Sequence, residues 1–267
     1  MLDPQAALAA SAQTPPPIAS RQRVLLVGGG GALGAAVLER LLAEHRYQRV
    51  GVIADPVLSP AMRRLHALPL QADALRKFGA DTALLVFDRE RHANGREAVF
   101  HRAEPAELPA LAQQLHDAGV QTLLVVVPHR AALLPVALRA GLASMDEGAV
   151  AALGFSQLLF MRTARPGAGA QDGRSAPQRL AEWLLSQLYW LVPQGELPVN
   201  VGTVARVAVA LALALRDDNG DSGGPSRTRV LAPEWLALAA QTLDLSPLLA
   251  RFLAGEPPPV PGARKRW

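Results

Sequence analysis

The chain of 267 residues contains no cysteine, which excludes disulfides, thiolate metal sites and cysteine nucleophiles. Aromatic residues make up only 4% of a sequence that is 50% hydrophobic, so alanine, leucine and valine must fill the interior. Lysine is nearly missing: Lys77 and Lys265 are the only two among 27 basic residues, which leaves 25 arginines. This imbalance reads as a coding bias rather than a nucleic-acid site, because a net charge of +4 spread along the chain makes no basic stripe and no aromatic–basic interleaving. The Arg264-Lys265-Arg266 end reads as a solvated tail. Six scattered histidines show no metal-ligand spacing, and His92 and His101 are expected at the surface. Long apolar runs are missing too. Val207 to Leu215 is the longest and is too short to span a bilayer. Residues 1–21 hold Asp3, no basic n-region and a Thr14-Pro15-Pro16-Pro17 run, the composition of a disordered leader rather than a signal peptide. The expectation is a cytoplasmic protein that engages neither membrane nor nucleic acid.

What is present is a short apolar strand that runs into a glycine-rich turn and a helix, Arg23-Val-Leu-Leu-Val-Gly-Gly-Gly-Gly-Ala-Leu-Gly34. Two spacings coexist, Gly29-x-Gly31-x-x-Gly34 and Gly28-x-x-Gly31-x-x-Gly34. Such a turn lets backbone approach a pyrophosphate while the N–H groups and dipole of the next helix face the anion. Leu33, Val37, Leu38, Leu41 and Leu42 repeat at helical spacing, with Glu39, Arg40 and Glu44 off that face. No Gly-Lys-Ser/Thr follows, so a Walker-type loop is excluded. Gly28, Gly29, Gly31, Leu33 and Gly34 are therefore the candidate cofactor-binding residues.

Strand-like and helix-like segments alternate after residue 22, which predicts an α/β, doubly wound parallel sheet of Rossmann type. The strands are expected at Arg49–Ile53, at Leu68–Gln71 after a helical stretch around Ser59–His66, and at Thr82–Phe87. More follow at Thr122–Val127, stopped by Pro128, and at Gln157–Met161, Leu197–Val199 and Arg227–Leu231. Helices are expected at Glu107–Ala118 before Gly119, at Arg130–Leu153 before Gly154, near Gln178–Leu191, from Val201 to Leu215, and around Trp235. Polar loops fill Asp88–Arg96, Arg165–Pro177 and Asp217–Ser226. The domain reading is a leader at 1–21, a Rossmann-like domain at 22–253 with a small C-terminal substrate-side portion at 164–253, and a Pro-rich basic tail at 254–267.

The order of elements resembles the short-chain dehydrogenase/reductase superfamily in its atypical NAD(P)-binding branch, near the Tat-interacting-protein-like bacterial oxidoreductases. The similarity covers residues 22 to 240. It is carried by Val27-Gly-Gly-Gly-Gly-Ala-Leu-Gly34, the Leu111…Ala118-Gly119-Val120 step, Ala151-Ala-Leu-Gly-Phe155, Leu158-Leu-Phe-Met-Arg162 and Leu197-Pro-Val-Asn-Val-Gly-Thr-Val-Ala205. The resemblance implies a dinucleotide ligand and, because members pair through helices, a homodimer. Its chemistry needs a tyrosine, a lysine four residues later, and a serine at the end of the fifth strand. An isolated tyrosine with a pKa of about 10 is a poor acid–base group until an ammonium lowers that value. Here Tyr47 and Tyr189 are followed at that distance by Gly51 and Pro193, and the fifth strand ends Val126-Val127-Pro128. No Tyr-x-x-x-Lys pair exists in the chain, so no catalytic residue is assigned.

Asp55 stands about 20 residues beyond the glycines, where an acid bonds a ribose 2′-hydroxyl and repels a 2′-phosphate. That favours NAD over NADP, against the plainer reading of an Asp-Pro turn starter. Phe87-Asp88-Arg89-Glu90 occupies the place where the family has small residues beside the cofactor, and reads either as a block or as a solvated loop. Three functional readings follow. The first is an NAD-binding sensor or degenerate oxidoreductase. The second is a cofactor-free scaffold for an unknown protein partner, since a glycine turn can persist for packing alone. The third is a replaced active site, in which His129, beside Arg130, is oriented by Asp88 or Glu90. Arg162 is expected to support a strand end, and Trp183 with Trp190 to pack in the core or an interface.

Overall fold

A computed structural model of the chain describes residues 23–55, 62–88, 99–128, 145–163, 200–219 and 227–259. The expectations for His129 and Arg130, for Tyr189, Trp183 and Trp190, and for the Gln178–Leu191 and Leu197–Val199 elements lie outside the described residues.

Seven strands form one sheet: β1 (Arg23–Val27), β2 (Arg49–Ile53), β3 (Leu65–Leu68), β4 (Thr82–Val86), β5 (Thr122–Pro128), β6 (Gln157–Thr163) and β7 (Arg227–Leu231). Their order is β3-β2-β1-β4-β5-β6-β7, and every pairing is parallel. This is the Rossmann-like doubly wound sheet, its strand order reversing between β1 and β4. A sheet covered on both faces needs apolar side chains in both directions, and β4 accordingly reads Thr-Ala-Leu-Leu-Val with every residue buried.

The alternation along β1 divides the interior. Val24 and Leu26 face a core shared with α1 (Ala32–Ala43), α4 (Val201–Asn219), α5 (Pro233–Ala240) and α6 (Ser246–Leu253). Leu25 and Val27 face the opposite core, shared with α2 (Ala72–Phe78) and α3 (Leu108–Asp117). Trp235 of α5 meets Phe252 of α6 edge-on at 5.5 Å, one of few aromatic pairs in a core built mainly of leucine, valine and alanine. No described helix is long and apolar enough to cross a membrane.

Several boundaries differ from the expectations. The third strand is Leu65–Leu68 rather than Leu68–Gln71, and it takes residues assigned to a helix around Ser59–His66. The reason is its edge position: all four residues are only half-buried, so its alternation is weak, and His66 interrupts it. Helix α2 was not anticipated; it is one short amphipathic segment whose Leu75 and Phe78 are buried, closed by Gly79 at φ 64°. Pro128 does not stop β5 but ends it, opposite Thr163 at the end of a β6 longer than expected. Helix α4 continues past Leu215 to Asn219, so Asp217 and Asp218 are helical rather than part of a loop.

Candidate functional site

In an open α/β sheet the ligand crevice lies outside the carboxyl ends of the strands, where the order reverses. Here that point lies between Gly28, which follows β1, and Phe87-Asp88, which follows β4. Register brings them together, because Val27 stands opposite Leu85.

The turn itself is set by close approach. Gly28 has φ +92°, and a Cβ built on it would lie 1.9 Å from the Val86 carbonyl oxygen. No other L-residue fits there. A Cβ on Gly34 would meet the Gly28 oxygen at 2.1 Å, so the first turn of α1 rests directly on the loop that precedes it. Gly31 is the N-cap, in extended backbone, and supplies no side chain to the first N–H groups; the first turn of α1 holds no acidic residue.

That role is filled from 55 residues away. The Leu33 N–H donates to Oδ2 of Asp88 at 2.6 Å. This is N-cap geometry, a side-chain oxygen accepting from the second helical N–H, but contributed across the sheet. A Cβ on Gly31 would stand 2.4 Å from the same oxygen, so the glycine makes room for the carboxylate. The Asp88 backbone is held in turn: the Phe87 N–H donates to Val126 O at 3.1 Å, and Arg102 Nη2 donates to Asp88 O at 3.3 Å. A carboxylate at a helix N-terminus is the protein's own equivalent of a bound phosphate oxygen.

The neighbouring part of the crevice is lined by the segment that leads into α3. Ala54 pairs antiparallel with Phe100, the Asp55 N–H donates to Val99 O at 2.8 Å and the His101 N–H to Ile53 O at 2.9 Å. This short ribbon extends the carboxyl end of β2 and lays Phe100 against Gly29, whose added Cβ would lie 3.5 Å from the Phe100 Cβ. Asp55 is exposed. His101, expected at the surface, is half-buried, and its Nε2 is buried without a hydrogen-bond partner among the described residues. The ribbon explains the difference, since it ties residue 101 to Ile53 at the carboxyl end of β2.

Gly28, Gly29, Gly31, Leu33 and Gly34 thus converge on one turn, with Asp55 at the end of the adjacent strand. Sequence reading placed Asp88 in a segment able to block the crevice but missed its bond to Leu33. Arg162 at the far end of β6 donates from Nη2 to both carboxylate oxygens of Glu147, Oε2 at 2.7 Å and Oε1 at 3.0 Å, which fits a strand-end support. Tyr47 lies at the amino end of β2, fully buried, remote from this crevice. Among the described residues no group of three or more acidic or histidine side chains is placed to hold a metal.

No protein-family model matches the chain, and no curated protein matches it. Among solved structures it is similar to a UDP-glucose 4-epimerase from Brucella ovis in complex with NAD, with 17% identity over 79% of this chain and 76% of that one and a TM-score of 0.42. It is similar to a nucleoside-diphosphate-sugar epimerase from Staphylococcus aureus at 15% identity, 79% and 71% coverage and a TM-score of 0.42. A UDP-N-acetylglucosamine 4-epimerase from Bacillus cereus gives 13% identity, 79% and 78% coverage and 0.40. Likenesses this distant carry no functional argument, and the fold rests on the strand order and pairing.

Proposed function

We propose that this chain is an NAD(P)-binding Rossmann-type protein that engages the dinucleotide at the glycine turn and works as a cofactor sensor rather than as a standard reductase. The observation that carries this reading is the turn itself: Gly28, Gly31 and Gly34 bring backbone and the α1 N-terminus to the strand-order reversal, where the anion of a dinucleotide is received. Asp55, exposed beyond β2, suits a ribose 2′-hydroxyl and so NAD over NADP. The resemblance to the atypical short-chain dehydrogenase/reductase branch adds the expectation of such a ligand. The sensor role rests on the inventory of the sequence, which holds no Tyr-x-x-x-Lys pair.

A second reading, a cofactor-free scaffold for a protein partner, is favoured by two contacts. The seat at α1 already holds a carboxylate, and Phe100 packs beside Gly29. Calorimetric titration with NAD, NADH, NADP and NADPH separates the two. Binding of the NAD pair, tighter than that of the NADP pair, supports the sensor and a live Asp55. No binding of any of the four up to millimolar concentration removes it and leaves the scaffold.

A further inference from the structure

The geometry around Leu33 points to a built-in competitor, and we infer that Asp88 is an internal anion seated where the dinucleotide phosphates would go, so that a dinucleotide binds only by displacing it. The inference rests on the dinucleotide-binding reading and specifies how that site is regulated. Three features of the α1 N-terminus support it. Oδ2 of Asp88 accepts the Leu33 N–H at 2.6 Å, one of the donors that α1 would offer to a phosphate. Helix α1 carries neither a capping side chain at Gly31 nor an acid in its first turn, so Asp88 is the carboxylate that meets the positive end of its dipole. Gly31 has its hypothetical Cβ 2.4 Å from that oxygen, a space into which a carboxylate fits and a side chain on residue 31 would not.

A pyrophosphate and a carboxylate cannot share the same N–H group, and their like charges repel at this separation. The dinucleotide therefore meets a competent seat only in the fraction of molecules whose Asp88 has swung out, and its apparent dissociation constant is raised by the inverse of that fraction. Capping and dipole interactions of ordinary strength hold the closed form in roughly tenfold excess. The device tunes the site to high cofactor concentrations and couples occupancy to the position of the Asp88 side chain.

The test compares wild type with Asp88→Ser and Asp88→Asn by calorimetry against NAD and NADH. The backbone amide of Leu33 is followed at the same time by 15N NMR. The expected result is tighter binding by both variants, about tenfold for Asp88→Ser, whose side chain is too short to hold the Leu33 N–H, and less for Asp88→Asn, which loses the charge but keeps an acceptor, with the Leu33 amide resonance shifting on addition of NAD in every protein. Equal affinity in wild type and variants, or weaker binding by the variants, overturns the competitor while leaving a dinucleotide site. Absence of binding by all three proteins to millimolar NAD overturns the dinucleotide reading and the competitor with it. Should the serine variant not fold, Asp88→Asn carries the comparison alone: it keeps the volume and removes the like charge that repels a pyrophosphate, so tighter binding supports the competitor and equal or weaker binding overturns it.

Discussion

The two ends of the sheet are built on different plans. At the amino end, arginine side chains close off helix C-termini and strand starts. Arg23 Nη1 donates to Phe78 O at 2.7 Å, at the end of α2. Arg64 donates to the carbonyls of Leu42, at 3.0 Å, and of Glu44 and Tyr47, where α1 returns toward β2. Asp218 near the end of α4 takes Gln157 Nε2 at 3.2 Å, Arg227 Nη1 at 3.2 Å and Arg229 Nη2 at 3.3 Å, which ties the edge strand β7 to β6. At the carboxyl end, one carboxylate meets the N-terminus of α1 and one short ribbon extends β2. The amino end spends its polar groups on structure, Arg64 and Asp218 each on three partners. The carboxyl end places one carboxylate contact beside a glycine turn, where, on the proposal above, a ligand would take the place of a side chain.

The comparison breaks most sharply at Gly28. Alanine there would adopt φ +92° with its Cβ 1.9 Å from the Val86 carbonyl. Left-handed strain and overpacking together predict a loss of about 3 kcal/mol, read from urea denaturation. A loss below about 1 kcal/mol would mean that the turn is pliant and that its glycines serve a ligand rather than the fold. Arg64→Ala comes next, with an expected loss of about 2 kcal/mol, because half-buried carbonyls of Leu42, Glu44 and Tyr47 lose their donor. Asp218→Asn should cost about 1 kcal/mol, held down by its one-third exposure; hydrogen exchange at β7 is the local readout, and faster exchange there alone would confirm that the network pins the edge. Asp88→Ala removes an N-cap contact and should also cost about 1 kcal/mol in the ligand-free protein, a figure small enough for a ligand to displace the contact as proposed.

Much of this was legible from residue order. The buried runs at β1, β2, β4, β5 and β6 announced themselves because a parallel sheet covered on both faces demands unbroken apolar strands, and the glycine turn was visible with its spacing. The failures have local causes. Half-burial hid β3, and α2 has too few residues to show a helical period. The end of α4 looked like a loop because Asp217 and Asp218 are poor helix formers; tertiary partners hold them, Arg46 for Asp217 and Arg229 for Asp218. The arginine excess read as coding bias, yet Arg23, Arg64 and Arg206 cap carbonyls across the fold, Arg206 reaching Thr242 O at 2.8 Å. The Asp88–Leu33 bond was beyond reach for another reason. It spans 55 residues and exists only because β1 and β4, far apart in sequence, are neighbours in the sheet.

The smallest expected effect sharpens the contrast from the amino end. Tyr47 is fully buried, its ring 5.4 Å from the Arg216 guanidinium carbon, and its hydroxyl has no hydrogen-bond partner among the described residues. Burial pushes its pKa far above the usual tyrosine range, with Arg216 opposing in part. The sign of the pH dependence follows. The unfolded chain releases this phenolic proton near pH 10 while the folded chain retains it, so above about pH 10 the unfolded state binds fewer protons and stability falls as pH rises. Below that value the group contributes no slope. Tyr47→Phe should leave stability at pH 7 within about 0.5 kcal/mol of wild type, because the hydroxyl it removes makes no bond. It should also flatten the decline above pH 10, as followed by urea denaturation at stepped pH. A loss of more than about 1 kcal/mol at pH 7 would show that buried water satisfies the hydroxyl, and the amino end would then hold a polar chamber of its own rather than a closed floor.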